Sequence, residues 1–254
     1  MPEYTPAHAL LDGKRIVVTA AAGAGIGFAT AKRCLEEGAS VVISDIHERR
    51  LEEARAQLEP LGAVHATLCN VIDTDSVDRM FAFAVDALGG IDVAINNAGL
   101  GGTKDLVEMT DEEWHQVIDV TLYGAMRCTR AALRHMIPAA RGVIVNNASV
   151  LGWRAQVGQA HYAAAKAGVM ALTRTAAAEG APHGVRVNAV SPSLALHPFL
   201  EKVMPKDTLD ELVEAEIWKR GAEPWEVANV IVFLASEYST YMTGEIVSVS
   251  SQHP

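Results

Sequence analysis

Short runs rich in valine, isoleucine and alanine alternate along the chain with longer stretches whose apolar residues recur every three or four positions. The short runs occupy residues 15–19, 40–44, 63–69, 92–96, 142–147, 185–190 and 245–249. Their nearly continuous apolar, β-branched character predicts strands buried on both faces. Helices are predicted over 26–37, 48–61, 74–88, 111–136, 160–179 and 224–236. This alternation argues for an α/β fold, a seven-stranded parallel sheet with helices on both faces. Thr110-Asp-Glu-Glu113 reads as a capping box, and Glu223-Pro224 puts proline where the first helical turn tolerates it. Residues 191–221 fit neither pattern. With Pro192, Pro198, Pro205 and amphipathic pieces, that stretch reads as a lid before the last helix.

A chain of 254 residues, half of them hydrophobic, can bury one substantial core, so residues 1–254 form a single domain in this reading. The net charge of -10 opposes nonspecific attachment to nucleic acid or an anionic membrane, both polyanions. It leaves room for an anionic small molecule in a locally basic pocket. Cys34, Cys69 and Cys128 are odd in number, widely spaced and without metal-ligand spacing, which suits buried free thiols in a reducing compartment. No leader pattern opens the sequence and no apolar run reaches membrane-spanning length, so a cytoplasmic protein is expected.

Two groups of residues carry candidate chemistry. Between the first strand and first helix lies Ala20-Ala-Ala-Gly23-Ala-Gly25-Ile26-Gly27. Small residues there let the backbone approach a pyrophosphate while the helix N-terminus aims free N–H groups at it. Asp45 follows Gly25 by twenty residues and ends the second strand, where a carboxylate can accept from both hydroxyls of an adenosine ribose. It would repel a 2′-phosphate, so the cofactor expected is NAD. The alternative makes Asp45 a helix cap. A phosphate clamp of His47, Arg49 and Arg50 would instead favour NADP, against a reading of both arginines as solvated.

The second group is Ser149, at the end of a strand, with Tyr162 and Lys166 one helical turn apart. A free phenol titrates near pH 10, and a neighbouring ammonium can lower that by roughly 1–3 units. Tyr162 then exchanges a proton with a substrate oxygen that Ser149 holds, while Lys166 also bonds the nicotinamide ribose. Taken singly each residue has an ordinary explanation; in this order, after a glycine turn, they point to hydride transfer at an alcohol or carbonyl carbon.

On these residues the chain resembles the short-chain dehydrogenase/reductases. The resemblance extends to Asn96-Asn97-Ala98-Gly99, Val185-Arg-Val-Asn-Ala-Val-Ser-Pro192 and Glu223-Pro-Trp-Glu-Val-Ala228. It implies a single Rossmann-type doubly wound domain and a homotetramer or homodimer, with helices 111–136 and 160–179 as candidates for self-association. It further implies that the turn from Thr19 to Gly27 holds the dinucleotide, with Asn70 and Val71 bordering the adenine. Asn97, Ala98 and Gly99 would support the adjacent ribose, and the Ala195 backbone would meet the carboxamide. The chain departs from the family pattern in several places. The glycine turn is one residue longer and begins Thr-Ala, Asn70 replaces an aspartate, and Thr121 replaces an asparagine that often holds a water beside the lysine. Ser193 and His197 replace glycine and threonine, and Ser250-Ser251 replaces Asp-Gly.

The Thr19–Gly27 turn, Ser44–Leu51, Asn146–Gln156 and Gly244–Ser251 are also similar to a bacterial branch that degrades steroid C and D rings. That likeness implies a hydroxylated methyl-indanone carboxylic acid carried as a CoA thioester. Trp153 could wall the ring and Arg154 meet a CoA phosphate, or the two are a packing tryptophan and a solvated arginine. His161 and His197 could be polar contacts or proton carriers, although isolated histidines are usually neither. Two other functions fit the same residues, a 3-oxoacyl-thioester reductase and a catalytically silent dinucleotide sensor.

Overall fold

The computed structural model describes residues 2–197, 200 and 206–251. Seven strands form one parallel sheet: β1 (Arg15–Thr19), β2 (Ser40–Asp45), β3 (Val64–Leu68), β4 (Val93–Asn96), β5 (Gly142–Asn147), β6 (Val185–Pro192) and β7 (Ile246–Val249). Their spatial order is β3-β2-β1-β4-β5-β6-β7. The order reverses between β1 and β4, which opens a crevice at their C-terminal ends. Side-chain alternation assigns the faces. Ile16, Val18, Val41 and Ile43 pack under α1 (Ile26–Glu36), α2 (Glu48–Leu58) and α8 (Pro224–Ala235). Val17, Val42 and Ile144 face α3 (Thr74–Leu88), α5 (Gly124–Met136) and α6 (Ala160–Gly180) on the other side. The expected strands and helices are all present, most ends shifting by no more than a residue or two.

Two elements differ from the reading of the sequence. The helix expected over 111–136 is divided. It runs as α4 (Asp111–Ile118), passes through a π-helical turn (Asp119–Tyr123), and resumes as α5. The segment 191–221 begins as the end of β6 and carries α7 (Lys206–Ala215), on which no residue is fully buried. Pro198 and Pro205 lie outside the described residues. The expected capping box forms, and Pro224 opens α8 as expected. Thr110 Oγ accepts the Glu113 amide at 3.2 Å and the Glu113 carboxylate returns the bond at 2.9 Å. Glu226 accepts from the Glu223 amide, with Pro224 in the first turn. All three cysteines are free and buried. No helix among the described residues is long and apolar enough to cross a membrane.

A side-chain hydrogen-bond network crosses the middle of the sheet. Asn96 and Asn146 are register partners on β4 and β5. Asn96 Nδ2 donates to Asn146 Oδ1 at 2.8 Å, and Asn146 Nδ2 donates to Thr173 Oγ1 of α6 at 2.9 Å. A buried amide stripped of such partners costs its full desolvation. Asn146→Ala is therefore expected to destabilise the protein by about 2 kcal/mol, read as a lower urea midpoint at unchanged slope.

Candidate active site

Ser149, Tyr162 and Lys166 meet where β5 ends and α6 begins. Ser149 caps the short 3-10 turn Val150–Gly152, its Oγ accepting the Leu151 amide at 3.2 Å. Its side chain also hydrogen-bonds that of Tyr162. Four residues apart on α6, Tyr162 and Lys166 share a face, with Lys166 Nζ 5.5 Å from the phenol ring centroid. Lys166 is buried and donates to the Asn147 carbonyl at 2.5 Å.

The protonation states differ from the sequence expectation. Burial pushes the Tyr162 phenol up to about 12, the Ser149 hydrogen bond opposing it. Burial pushes Lys166 down to about 8. Desolvation penalises phenolate and ammonium alike, so the protein's own groups keep Tyr162 protonated.

The segment after β4 passes beside both residues. A Cβ on Gly99 would lie 3.4 Å from Lys166 Nζ, and one on Gly101 would lie 3.6 Å from the Tyr162 ring. Thr121 holds this segment. Its hydroxyl accepts the Leu100 amide at 2.9 Å and donates to the Leu100 carbonyl at 3.0 Å. The π-helical turn thus sets Thr121 against the backbone beneath Lys166, and its hydroxyl is committed there.

The glycine turn follows β1, whose end lies beside that of β4. Gly25 caps α1 without any side-chain bond, and the first intrahelical bond runs from Ala29 N–H to Gly25 C=O. The amides of residues 26–28, Ile26 among them, precede it and face outward as anion donors. A Cβ at Gly23 would meet nothing within 4 Å, and one at Gly25 would touch only His197 at 4.0 Å, leaving a cradle open. Gly27 is different: a Cβ there would sit 2.3 Å from the Ala20 carbonyl and 2.5 Å from Asn97 Nδ2. Ala20, standing where the family pattern has glycine, adopts a φ of 51°.

Asp45 is buried at the tip of β2, where Oδ1 accepts the His47 amide at 3.0 Å and Oδ2 the Ala22 amide at 3.4 Å. Burial raises its pKa, and Arg50, 3.8 Å away, pulls in the opposite direction. Arg49 extends into solvent and pairs with Glu53. Asn70 closes a turn, Oδ1 accepting from the Ile72 amide at 3.3 Å, and Val71 beside it is buried. An open glycine turn, uncapped helix amides and a carboxylate across the crevice fit a dinucleotide.

Several chosen residues serve the scaffold directly. Thr19 Oγ1 accepts the Asn97 and Ala98 amides at 3.0 and 3.2 Å, joining the ends of β1 and β4. Asn97 Nδ2 donates to the Ala20 carbonyl at 3.0 Å, and its Oδ1 accepts from Asn147 Nδ2 at 2.9 Å. Ala195 is buried and bridges to Ala222. Trp153 is 43% exposed, whereas Arg154 turns away to donate to Ser250 Oγ at 3.3 Å. Reading the sequence missed Asn147 and the contact of His161 with the Tyr162 amide. The available signal for Asn147 was the Asn-Asn doublet closing each of two neighbouring apolar runs.

Residues 20–251 match the family model described as enoyl-(acyl carrier protein) reductase, adh_short_C2. Over 100% of this chain and 98% of the relative, the sequence is 58% identical to a (5R,7aS)-5-hydroxy-7a-methyl-1-oxo-2,3,5,6,7,7a-hexahydro-1H-indene-carboxyl-CoA reductase of Mycobacterium tuberculosis. It is 40% identical to a 3-oxoacyl-[acyl-carrier-protein] reductase of Thermotoga maritima, covering 94% of this chain and 97% of the relative. A short chain dehydrogenase from Mycobacterium smegmatis superposes with a TM-score of 0.89 at 56% identity, over 100% of this chain and 98% of the other.

The left-handed backbone at Ala20 gives a direct test of strain in the cofactor turn. Relief of the Cβ clash, set against the entropy of glycine, predicts that Ala20→Gly stabilises the protein by about 0.5–1 kcal/mol. Thermal unfolding should move upward by about 2 °C. A lower Tm would mean that the alanine side chain contributes packing outweighing its backbone cost.

Proposed function

The chain belongs to the short-chain dehydrogenase/reductase family, and from that premise we propose that this oxidoreductase uses NAD to interconvert a secondary alcohol and a ketone on a bulky alicyclic CoA thioester. The observation carrying the reaction is the convergence of Ser149, Tyr162 and Lys166 beside an uncapped helix N-terminus. When bound, the cofactor supplies the hydride acceptor for oxidation, and its reduced form the donor for reduction. Ser149 holds the substrate oxygen. In reduction the Tyr162 hydroxyl, kept protonated by burial, donates to the nascent alkoxide; in oxidation its phenolate takes the alcohol proton. Lys166 keeps an ammonium beside the phenol below about pH 8 and bonds the nicotinamide ribose. Asp45 accepts from the adenosine ribose hydroxyls and disfavours a 2′-phosphate, so NAD is the preferred coenzyme. The amides of residues 26–28 with Gly23, Gly25 and Gly27 receive the pyrophosphate. Asn70 and Val71 border the adenine, Asn97, Ala98 and Gly99 back the ribose, and the Ala195 backbone meets the carboxamide.

Support for the substrate comes from the relative's name and from the mouth of the site. Leu106, Val107, Trp153, Val157, Ile217 and Trp218 are exposed on segments that follow the C-terminal ends of β4, β5 and β6. An apolar rim suits a fused ring better than a small polar substrate. Residues 191–221 act as the lid. The buried carboxylate of Glu216, just past α7, accepts from Ser251 Oγ at 2.6 Å and links this segment to the tail. Trp153 contacts the ring, and Arg154 becomes available to a phosphate once its bond to Ser250 opens. The protein works in the cytoplasm as a homotetramer or homodimer.

The Thermotoga maritima relative favours a second reading, reduction of a 3-oxoacyl thioester. The two separate on kcat/KM for an indanone carboxyl-CoA against acetoacetyl-CoA. Tyr162→Phe should leave NAD binding intact and lower turnover by roughly 10²-fold or more, followed by nicotinamide absorbance. Near-normal turnover would assign the proton to another group. Asp45→Ala should raise kcat/KM for NADP relative to NAD by about tenfold, a 1.4 kcal/mol change in discrimination. An unchanged ratio would remove Asp45 from the ribose site.

A further inference from the structure

The first turn of α6 carries Tyr162, and its backbone is capped in an unusual way. Gln159 precedes the helix without a side-chain cap, and the first intrahelical bond runs from Ala163 N–H to the Gln159 carbonyl at 2.8 Å. The amides of residues 160–162 therefore have no carbonyl partner within the helix. The Tyr162 amide instead donates to a ring nitrogen of its neighbour, His161 Nδ1, at 2.9 Å. That imidazole is only 3% exposed. A Cβ on Gly102 would lie 3.6 Å from Nε2, so the outer edge of the ring rests on the segment that passes Tyr162. Gln159 Nε2 donates to Thr103 Oγ1 at 3.0 Å and Lys104 N–H to the Gly158 carbonyl at 2.9 Å, holding that segment against the start of α6.

We propose that His161 is a positioning residue for Tyr162: the neutral imidazole caps the Tyr162 amide, and its protonation converts Nδ1 from acceptor to donor and releases the cap. The proposal rests on Tyr162 being the proton donor. The groups facing the ring from each packed element are few. α4 brings Glu113, whose charge favours protonation, and the Gln159 backbone before α6 brings a hydrogen bond that does the same; α6 brings Tyr162; residues 101–103 bring no charge. Burial acts against protonation and holds His161 below its ordinary value of 6.5, so the cap is in place at neutral pH and is lost on acidification. In the reducing direction acid cannot impair Tyr162 itself, which stays protonated. An acid-side fall in reduction that His161→Asn abolishes therefore reports the cap.

The test compares wild type, His161→Asn and His161→Leu. An asparagine Oδ1 can occupy the place of Nδ1 as a non-titrating acceptor, and leucine removes the acceptor. Hydrogen exchange of the peptide spanning residues 159–165 is measured from pH 5.5 to 8.5, together with NADH affinity and kcat for reduction of acetoacetyl-CoA. For wild type, exchange corrected for its intrinsic pH dependence should accelerate about tenfold toward the acid end, and kcat should fall with it. His161→Asn should keep slow exchange and turnover throughout. His161→Leu should exchange fast at every pH with kcat about tenfold lower and NADH affinity unchanged. Wild-type exchange in His161→Leu, or equal impairment of the asparagine and leucine variants, overturns the proposal. Exchange needs no turnover, so the cap is judged even if acetoacetyl-CoA is not reduced. Retained activity in Tyr162→Phe with the exchange pattern intact would instead overturn the role of Tyr162 and leave the cap standing.

Discussion

One run of hydrogen bonds crosses the C-terminal edge of the sheet and joins the glycine turn after β1 to Lys166 on α6. The Ala20 carbonyl accepts from Asn97 Nδ2, Asn97 Oδ1 accepts from Asn147 Nδ2, and the Asn147 backbone carbonyl accepts from the Lys166 ammonium. Each link is buried or half-buried, so each is strengthened by low dielectric and costly to leave open. Thr19 and Thr121 brace the same line from either side. A displacement of β1 relative to β5 would be felt at Lys166 through three bonds. The glycine turn and Lys166 are thus tied to one another through this line.

The line also explains two oddities of composition. Gly27 must be glycine because a side chain there would collide with the Ala20 carbonyl and Asn97 Nδ2, the first link of the run. Lys166 spends its ammonium on a carbonyl instead of a carboxylate. A carboxylate would have pinned its charge; a carbonyl leaves the pKa to be depressed by burial. An ammonium held this way can lend a proton or a field to Tyr162 without being locked in an ion pair.

Much of this was legible in the amino-acid order. Seven apolar runs separated by amphipathic stretches allow few architectures besides a parallel sheet, and the strand ends followed from turn residues within a residue or two. The cap at Thr110 was readable because its partner lies three residues away, and the start of α8 because proline suits a first helical turn. The break at Asp119–Tyr123 was not, since one extra residue in a turn scarcely disturbs a helical apolar pattern. α7 was hidden by flanking prolines and a run of acids. The bond between Asn97 and Asn147 spans fifty residues and has no local signature. Tyr162 shows a further limit: its neighbours could be listed from spacing, but the depth of its burial, which decides the sign of its pKa shift, required the folded chain.

The three thiols described with the core have a consequence for how the protein meets oxidants. Burial raises the pKa of Cys34, Cys69 and Cys128, so at neutral pH each is protonated and shielded. Peroxide and alkylating reagents attack exposed thiolates. Such reagents find no ready foothold on these thiols, and a shift in cellular redox poise would reach this catalyst through the ratio of oxidised to reduced dinucleotide.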